Sequence, residues 1–126
     1  MKTVITSPSA PPAIGPYSQA VRTGNLLFCS GQIPLLSDGS GPVNGIETQT
    51  IQVLTNLKAV LEAAGATTAN VVKCTIFLTD LNDFQTVNKI YAQSFSEPFP
   101  ARSTIQVAGL PRGSRVEIEA IAVLPE

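Results

Sequence analysis

The sequence predicts an α+β domain in which two helices pack on one face of a single β-sheet. Two segments have apolar residues at the helical period, and short runs rich in β-branched and apolar residues flank them. A length of 126 residues suits one domain over positions 1–126. With 44% hydrophobic and 13% charged residues, the chain has more apolar surface than a monomer of this size requires, so we expect subunit contacts.

The first strands are predicted near the N-terminus. Residues 1–5 have the composition of a short strand, and the following SPSAPPAIGPYS segment carries four prolines, which exclude a helix and a central strand there. Residues 19–22 and 26–29 flank Thr23-Gly24-Asn25, a turn-forming triplet. The two runs are therefore predicted to form a hairpin.

The first helix is predicted over residues 46–64. Before it, Ser30-Gly31-Gln32 is expected to leave the sheet, and the Gly, Pro, Ser and Asp content of residues 34–45 is typical of a surface loop. The apolar stripe of the helix comprises Ile46, Val53, Leu54, Leu57, Val60, Leu61 and Ala64. Gly65 suits the position just past the helix, where only glycine adopts the left-handed conformation without a Cβ penalty.

A second helix is predicted to begin after Asn82 and Asp83, which offer a cap and a first-turn negative charge. Pro98 and Pro100 would end the helical region. Its predicted apolar face comprises Phe84, Val87, Ile90, Tyr91 and Phe95.

Three further strands are predicted at residues 71–79, 103–108 and 115–123. The first is apolar on both faces, with Val72, Cys74, Ile76 and Leu78 on one side and Val71, Thr75 and Phe77 on the other. The last two strands flank residues 109–114, which have the composition of a turn, so antiparallel pairing between them is expected.

The last predicted strand is also apolar in both registers. Val116, Ile118, Ala120 and Ala122 form one side, and Ile121 and Val123 follow Glu117 and Glu119 on the other. Two helices on one face cannot bury both sides of this sheet. We expect the second face to be buried against copies of the same sheet in a closed, symmetric oligomer.

The composition excludes several classes of site. The net charge is −1 and the basic residues are scattered, which disfavours nucleic-acid binding. Histidine is absent, so histidine triads are excluded, and Cys29 and Cys74 with the few carboxylates offer no metal ligand set. No apolar run is long enough for a membrane helix and no targeting segment is evident, so the expected location is the cytoplasm. Both cysteines are expected to be buried, reduced and structural.

Three side chains are candidates for chemistry. Arg102 follows FPA, a proline-stiffened lead into a strand, and is either a solvated loop arginine or a fixed two-donor fork for a carboxylate. Glu117 and Glu119 point to the same side of their strand, about 7 Å apart. They are either a solvated edge or partly buried carboxylates, one of which can act as a general base.

Two further polar groups lie in the N-terminal part. Tyr17 is either a packing aromatic or a ligand of a site, and Ser30-Gly31-Gln32 is either a plain turn or a source of backbone N–H groups for a ligand. None of these signals is specific by itself.

The motifs together resemble one family. IGPYSQAV, SGQIP, AAGA, VVKCTIFLTDLNDFQTVNKIY, FPARST and VEIEAIAV occur in the order and spacing of the RidA-like deaminases, also called reactive intermediate or imine deaminases. The resemblance covers residues 12–123, and FPARS followed by IEAIA is its most specific part. It implies a chorismate-mutase-like α+β fold of the bacillus type, with one mixed sheet, and a homotrimer with a central barrel and sites between subunits.

The resemblance also implies an activity and a set of site residues. The expected reaction is hydrolysis of enamines and imines, such as 2-aminoacrylate and 2-iminobutanoate, to 2-oxo acids and ammonia without a cofactor. Arg102 would bind the substrate carboxylate, Glu117 would position the water, and the residues expected to line the cleft are Tyr17, Ser30, Gly31, Asn88 and Thr104. Many family members have cysteine where this chain has Thr104, so a role for a thiol there is not expected.

Two other functions compete with the deaminase. A trimeric binder of small 2-oxo or amino acids can use the same arginine as a sensor without catalysis. RNA cleavage is an activity claimed for members of the family, but the absence of histidine and of a basic patch disfavours it here.

Overall fold

The computed structural model describes residues 1–125 and contains one six-stranded mixed sheet with two helices. The strands are β1 (Thr3–Ile5), β2 (Ala20–Thr23), β3 (Leu26–Gln32), β4 (Val71–Leu78), β5 (Ala101–Gln106) and β6 (Val116–Val123), and the helices are α1 (Ile46–Ala63) and α2 (Phe84–Ser94). The strand order is β1-β2-β3-β6-β4-β5. The predicted α+β fold with one mixed sheet is confirmed.

Both helices cover the same face of the sheet. Alternation along β6 defines the two faces, because Val116, Ile118, Ala120 and Ala122 are buried while the residues between them are half-buried or exposed. We call the uncovered side the open face. It presents Glu117, Glu119 and Ile121 from β6, Phe28 from β3 and Ile105 from β5, and the last two are each 44% exposed. The expected uncovered apolar face is therefore present in the single chain.

The predicted first hairpin and the end of α1 are confirmed. β2 and β3 pair antiparallel with Thr23 opposite Leu26, and Gly24 has a φ of 60°. At the end of α1, Gly65 has a φ of 80°, and its N–H donates to the carbonyl of Glu62 at 2.9 Å. The Ala66 N–H donates to the carbonyl of Leu61 at 2.9 Å, so the helix ends in a Schellman motif.

The predicted antiparallel pair of the last two strands is wrong. β5 pairs with β4 in parallel, and α2 makes the crossover between them. β6 instead lies between β3 and β4 and is antiparallel to both. Burial explains the difference: β6 is apolar enough for the centre of the sheet, whereas no residue of β5 is fully buried, which is typical of an edge strand.

Two local predictions about the strands also need correction. A register shift between Val71 and Lys73 turns Val71 toward the helices and leaves Val72 46% exposed, so β4 is covered on one face only. Ser30-Gly31-Gln32 does not leave the sheet but forms the end of β3, with a register shift between Cys29 and Gln32.

The start of α2 differs from the predicted cap. A short 3₁₀ turn, Leu81–Asp83, precedes the helix, and the Asp80 carboxylate accepts a hydrogen bond from the Asn82 N–H at 2.9 Å. Asp83 makes no capping hydrogen bond and instead forms an ion pair with Arg115 at 2.9 Å. The cap therefore lies one turn earlier than the apolar pattern of the helix indicated. No helix within residues 1–125 is long and apolar enough to span a membrane.

Candidate active site

Arg102 is held against α2 at the edge of the sheet. It lies beside Cys74 in the parallel pair of β5 and β4, so its side chain points to the helix-covered side. Its Nη1 donates to the Asn88 Oδ1 at 2.7 Å, and the guanidinium carbon lies 5.0 Å from the ring centre of Tyr91 and 5.6 Å from that of Phe84. Two aromatic rings and one amide thus fix a cation whose other donors make no hydrogen bond within residues 1–125.

A cavity of about 450 Å³ opens beside this guanidinium. Its lining residues are Asn88, Tyr91, Ala92, Phe99, Pro100 and Arg102. Arg102 is the one charged group among them, and most of the remaining surface is aromatic or aliphatic. Such a cavity suits a small molecule that carries a carboxylate on an apolar body.

Thr104 lies two residues beyond Arg102 on the same side of β5. Its hydroxyl and that of Tyr91 are buried without a hydrogen-bond partner within the described part of the chain. Burial raises the pKa of Tyr91 above its ordinary value, so this phenol stays neutral. Thr104 therefore faces the same side of the sheet as Arg102, although it is not among the residues that line the cavity.

Glu117 lies on the open face, where its carboxylate has no hydrogen bond or ion pair within residues 1–125. Partial burial raises the pKa of Glu117, and the nearby Glu119 carboxylate raises it further. Gly31 lies directly beneath this side chain, since a Cβ at Gly31 would overlap the Glu117 carboxylate. The glycine is therefore required by a close approach between β3 and β6.

Ser30 and Tyr17 lie on the same side of the molecule as Gly31. The Ser30 hydroxyl donates to the Ser18 carbonyl at 2.6 Å, and its N–H donates to the Gln19 carbonyl at 3.0 Å, which ties the Tyr17 loop to β3. Tyr17 is 53% exposed, and its hydroxyl accepts a long hydrogen bond of 3.4 Å from the Ile14 N–H. Tyr17 and Gly31 line a common cavity.

The predicted site residues therefore form two groups within one chain. The Arg102 half-site comprises Arg102, Asn88 and Thr104, and the Glu117 half-site comprises Glu117, Gly31, Ser30 and Tyr17. Arg102 points to the helix-covered side and Glu117 to the open face, and β4 separates their strands. The two groups do not converge on one small ligand within a single chain.

Sequence reasoning missed the residues that cradle Arg102. Phe84 and Tyr91 were assigned only to the apolar face of α2, yet both rings contact the guanidinium. The available signal was their spacing, because Phe84, Asn88 and Tyr91 are four and three residues apart and so share one side of the helix.

The two cysteines lie in the interior, as predicted. Cys29 and Cys74 are free thiols that flank Ala120 on opposite sides of β6. Burial raises the pKa of Cys29 to about 12 and also raises that of Cys74, so both thiols stay protonated and unreactive near neutral pH. No group of three or more residues that could hold a metal ion is found within residues 1–125.

Comparison with known proteins identifies the family. The model of the family described as Endoribonuclease L-PSP matches residues 7–124. A relative named Reactive Intermediate Deaminase A, chloroplastic, from Arabidopsis thaliana is 51% identical over 98% of this chain, which spans 66% of that relative's length. The chain belongs to the RidA-like family.

Other members of this RidA-like family carry informative names. A human relative named 2-iminobutanoate/2-iminopropanoate deaminase is 49% identical over 98% of this chain and 90% of its own length. The crystal structure of E. coli TdcF with bound serine is 45% identical, has a TM-score of 0.91, and aligns over 98% of this chain and 99% of its own. The fold and the family that the motifs indicated are thus confirmed, while the names within the family differ between deaminase and endoribonuclease.

Proposed function

We propose that this RidA-like protein is a deaminase that hydrolyses 2-imino acids and their enamine tautomers, such as 2-iminobutanoate and 2-aminoacrylate, to 2-oxo acids and ammonia. The observation that carries the proposal is the fixed Arg102 guanidinium, which has free donors beside an otherwise apolar cavity. The deaminase proposal is supported by relatives named 2-iminobutanoate/2-iminopropanoate deaminase, which are 49% and 52% identical to this chain.

The proposal includes a homotrimer whose sheets surround a central barrel, with sites between the subunits. Its support is the geometry of the two half-sites, which face opposite sides of one sheet, together with the exposed apolar residues of the open face. A neighbouring copy packed on the open face would bring its Arg102 half-site to the Glu117 half-site of the first copy. Both groups would then act on one ligand.

The chemistry requires orientation, a water and a base. Arg102 would bind the carboxylate through its free donors and direct the imine carbon toward the water held by Glu117. As the water oxygen bonds to that carbon, Glu117 would take a water proton and the C=N electron pair would move to nitrogen. Return of that proton to nitrogen gives a carbinolamine, which carries a hydroxyl and an amino group on the same carbon. Transfer of the hydroxyl proton to the amino nitrogen, again through Glu117, then lets the oxygen electron pair form the C=O bond as the C–N bond breaks and ammonia leaves.

Nothing in this scheme requires a cofactor or a metal. An imine is already electrophilic, and the raised pKa of the Glu117 carboxyl group makes it a better proton acceptor than an ordinary carboxylate. Tyr17, Ser30 and Gly31 would form the wall of the cleft next to Glu117, and Asn88 would hold Arg102. A cytoplasmic location is part of the same proposal.

The test is ammonia release from freshly generated 2-aminoacrylate. The rate should rise in proportion to enzyme concentration and exceed the spontaneous rate, and a series of imines of increasing side-chain length would define the substrate range. The Arg102→Ala variant serves as the matched control, because it should keep the fold and lose most of the acceleration. An unchanged spontaneous rate with the unaltered chain would refute the deaminase.

A sensor without catalysis is the second candidate, and the same cavity supports it. The E. coli TdcF structure contains bound serine, so we expect this chain to bind a small amino acid or 2-oxo acid under either function. Saturable binding of 2-oxobutanoate with no acceleration of imine hydrolysis would favour the sensor.

The family description as an endoribonuclease motivates an assay for RNA cleavage as well. The chain has no histidine, and its net charge of −1 gives no favourable field for a polyanion. We expect no cleavage of single-stranded RNA and no RNA binding at 150 mM salt, which a gel-shift titration would measure.

A further inference from the structure

The loop that carries Tyr17 has few backbone hydrogen bonds of its own. It comprises residues 6–19, lies between β1 and β2, and contains four prolines, which have no N–H to donate. Within residues 6–19 the backbone makes two hydrogen bonds, from the Ala10 N–H to the Ser7 carbonyl at 3.5 Å and from the Tyr17 N–H to the Gly15 carbonyl at 2.9 Å. The conformation of this loop therefore depends on contacts with side chains.

The side chain of Gln19 makes several of these contacts. Gln19 is 4% exposed, and its Oε1 accepts a hydrogen bond from the Ser7 N–H at 2.6 Å. Its Nε2 donates to the Pro11 carbonyl at 2.8 Å and to the Ser7 carbonyl at 3.2 Å, with a longer contact of 3.5 Å to the Ala10 carbonyl. Both ends of one buried amide are thus paired with the loop backbone. Such an amide holds its partners in place, because releasing them would leave buried polar groups unpaired.

Gln19 joins the two ends of residues 12–18. Its amide holds the Pro11 carbonyl, which comes directly before this stretch, and its own backbone comes directly after it. The Gln19 carbonyl in turn accepts a hydrogen bond from the Ser30 N–H at 3.0 Å. Residues 12–18 therefore form a closed loop that is attached to β3 at Gln19, two residues after Tyr17.

Tyr17 depends on this closure for its position. Its ring is exposed, and its hydroxyl accepts one long hydrogen bond, at 3.4 Å, from the Ile14 N–H of the same loop. A contact inside the loop moves with the loop, so it does not fix Tyr17 relative to Gly31 and Glu117. Closure by Gln19 does, because Gln19 is bonded both to the loop and to β3.

We propose that Gln19 is a positioning residue for the deaminase reaction, which holds residues 12–18 closed so that Tyr17 forms the cleft wall beside Glu117. The inference rests on the proposed function and assigns Gln19 a role through Tyr17, since both ends of its amide are already paired within the chain. Without the amide, the loop carbonyls would turn to water and the loop would open locally. Arg102 would still bind the carboxylate, so kcat should depend on Gln19 more than KM does.

The first test follows Tyr17 directly and needs no turnover. The chain has two tyrosines, so protein labelled with 3-fluorotyrosine should give ¹⁹F signals from the exposed Tyr17 and the buried Tyr91, assigned by the loss of one in Tyr17→Phe. Gln19→Leu removes the amide at similar volume and should shift or broaden the Tyr17 signal alone. Gln49→Leu is the matched control, because Gln49 is another buried amide that donates to a loop carbonyl, that of Val43, at 2.9 Å. It should leave both signals unchanged.

The second test separates kcat from KM for freshly generated 2-iminobutanoate. Gln19→Leu should lower kcat roughly tenfold and change KM less than about threefold, because the cleft wall moves and the carboxylate ligand does not. Gln49→Leu should keep both parameters within about twofold, although loss of its buried hydrogen bonds also lowers the thermal stability. In a Tyr17→Ala background, adding Gln19→Leu should change kcat less than about twofold, because the residue through which Gln19 acts is already removed.

An unmoved Tyr17 signal in Gln19→Leu, or a loss of kcat that is undiminished in the Tyr17→Ala background, would overturn the proposal. Gln19→Met, with a flexible side chain that has no N–H donor, gives the same comparison if Gln19→Leu does not fold. If the unaltered chain does not hydrolyse imines, the deaminase proposal fails, and the ¹⁹F comparison still decides whether Gln19 positions Tyr17.

Discussion

The Arg102 and Glu117 half-sites are built by different means. Arg102 is confined by a helix of its own chain, with an amide at 2.7 Å and two aromatic rings around its guanidinium. Glu117 has no polar partner within residues 1–125 and projects from the open face between two strands. The Arg102 half-site is thus complete in a single chain. The Glu117 half-site is only partly covered, and its carboxylate is free to contact another subunit.

This difference predicts where the protein is sensitive to change. Substitutions near Arg102 should alter binding and leave assembly intact, because that half-site depends on contacts within the chain. Substitutions on the open face should alter assembly and catalysis together, because the Glu117 half-site depends on what covers it.

The largest effect is expected from Ile121→Asp on the open face. Covering an unpaired charge costs several kcal/mol, so the variant should lose the proposed trimer and with it essentially all of the proposed deaminase activity. Light scattering would give the mass, and the ammonia assay the activity. Ile51→Asp, at a 55% exposed position on the outer side of α1, is the matched control and should keep both. An unchanged mass for Ile121→Asp would place this face in solvent.

The next largest effect is expected from Arg102→Ala. Loss of a charge-assisted hydrogen-bonded pair is worth about 1.5 to 3 kcal/mol, so kcat/KM should fall roughly 10- to 150-fold with an unchanged trimer mass. Arg102→Lys should recover only part of the loss, because a point charge does not reproduce the planar fork. The defect should shrink for imines without a carboxylate. Equal losses on substrates with and without that group would assign Arg102 another role.

Gly31→Ala tests the opposite half-site. The added Cβ would occupy the position of the Glu117 carboxylate and displace it, so kcat should fall roughly tenfold while KM changes little. Gly24→Ala in the first hairpin is a suitable control, because a Cβ there meets no atom within 4 Å, although its positive φ makes a small loss of stability expected. A Gly31→Ala enzyme with wild-type kcat would separate Glu117 from catalysis.

The smallest effect is expected from Glu119→Gln. This substitution should change kcat in opposite directions in acid and at neutral pH. The Glu119 charge helps to raise the pKa of Glu117, so its removal lowers that pKa, although burial still holds it above the ordinary value. The ionised Glu117 is the proposed base, so the acidic limb of the kcat profile should move to lower pH. At neutral pH a weaker base should reduce kcat roughly two- to threefold.

The same variant therefore gains activity relative to wild type in acid and loses it at neutral pH, which general structural damage would not produce. On this face Lys73 of β4 is the nearest cation of the paired strands, and it donates to the Ser103 hydroxyl at 2.9 Å. Glu47→Gln in the first turn of α1 is the control and should leave the profile unchanged. Parallel profiles for Glu119→Gln and wild type would contradict the role given to Glu119.

The sequence predicted the faces of the sheet better than its order. The alternation from Val116 to Val123 correctly grouped the four β6 residues that the helices bury in the single chain, because side-chain direction in a strand follows from the period alone. The neighbours of β6 depend on long-range burial, which a nearby turn composition does not reveal. The false hairpin with β5 resulted from giving the local signal at residues 109–114 too much weight.

The same limit applies to the site. The FPARS motif contains Arg102 and the VEIEAIAV motif contains Glu117, but motif order says nothing about which face of a sheet each side chain occupies. That depends on the parallel register of Cys74 with Arg102 and the antiparallel register of Phe77 with Glu117. The register shift that places Gly31 beneath Glu117 is likewise a property of the folded strand pair.

The central position of β6 has a consequence for folding during synthesis. Its partners β3 and β4 end at Gln32 and Leu78, whereas β6 begins at Val116, so the middle of the sheet is filled by the strand that is made last among the six. Until β6 is made, the edges of β3 and β4 that it will occupy are unpaired. Other chains can add strands to such edges, which leads to aggregation. The high sequence separation of these pairings also slows folding, so both edges stay unpaired at least until residues 116–123 have been synthesised.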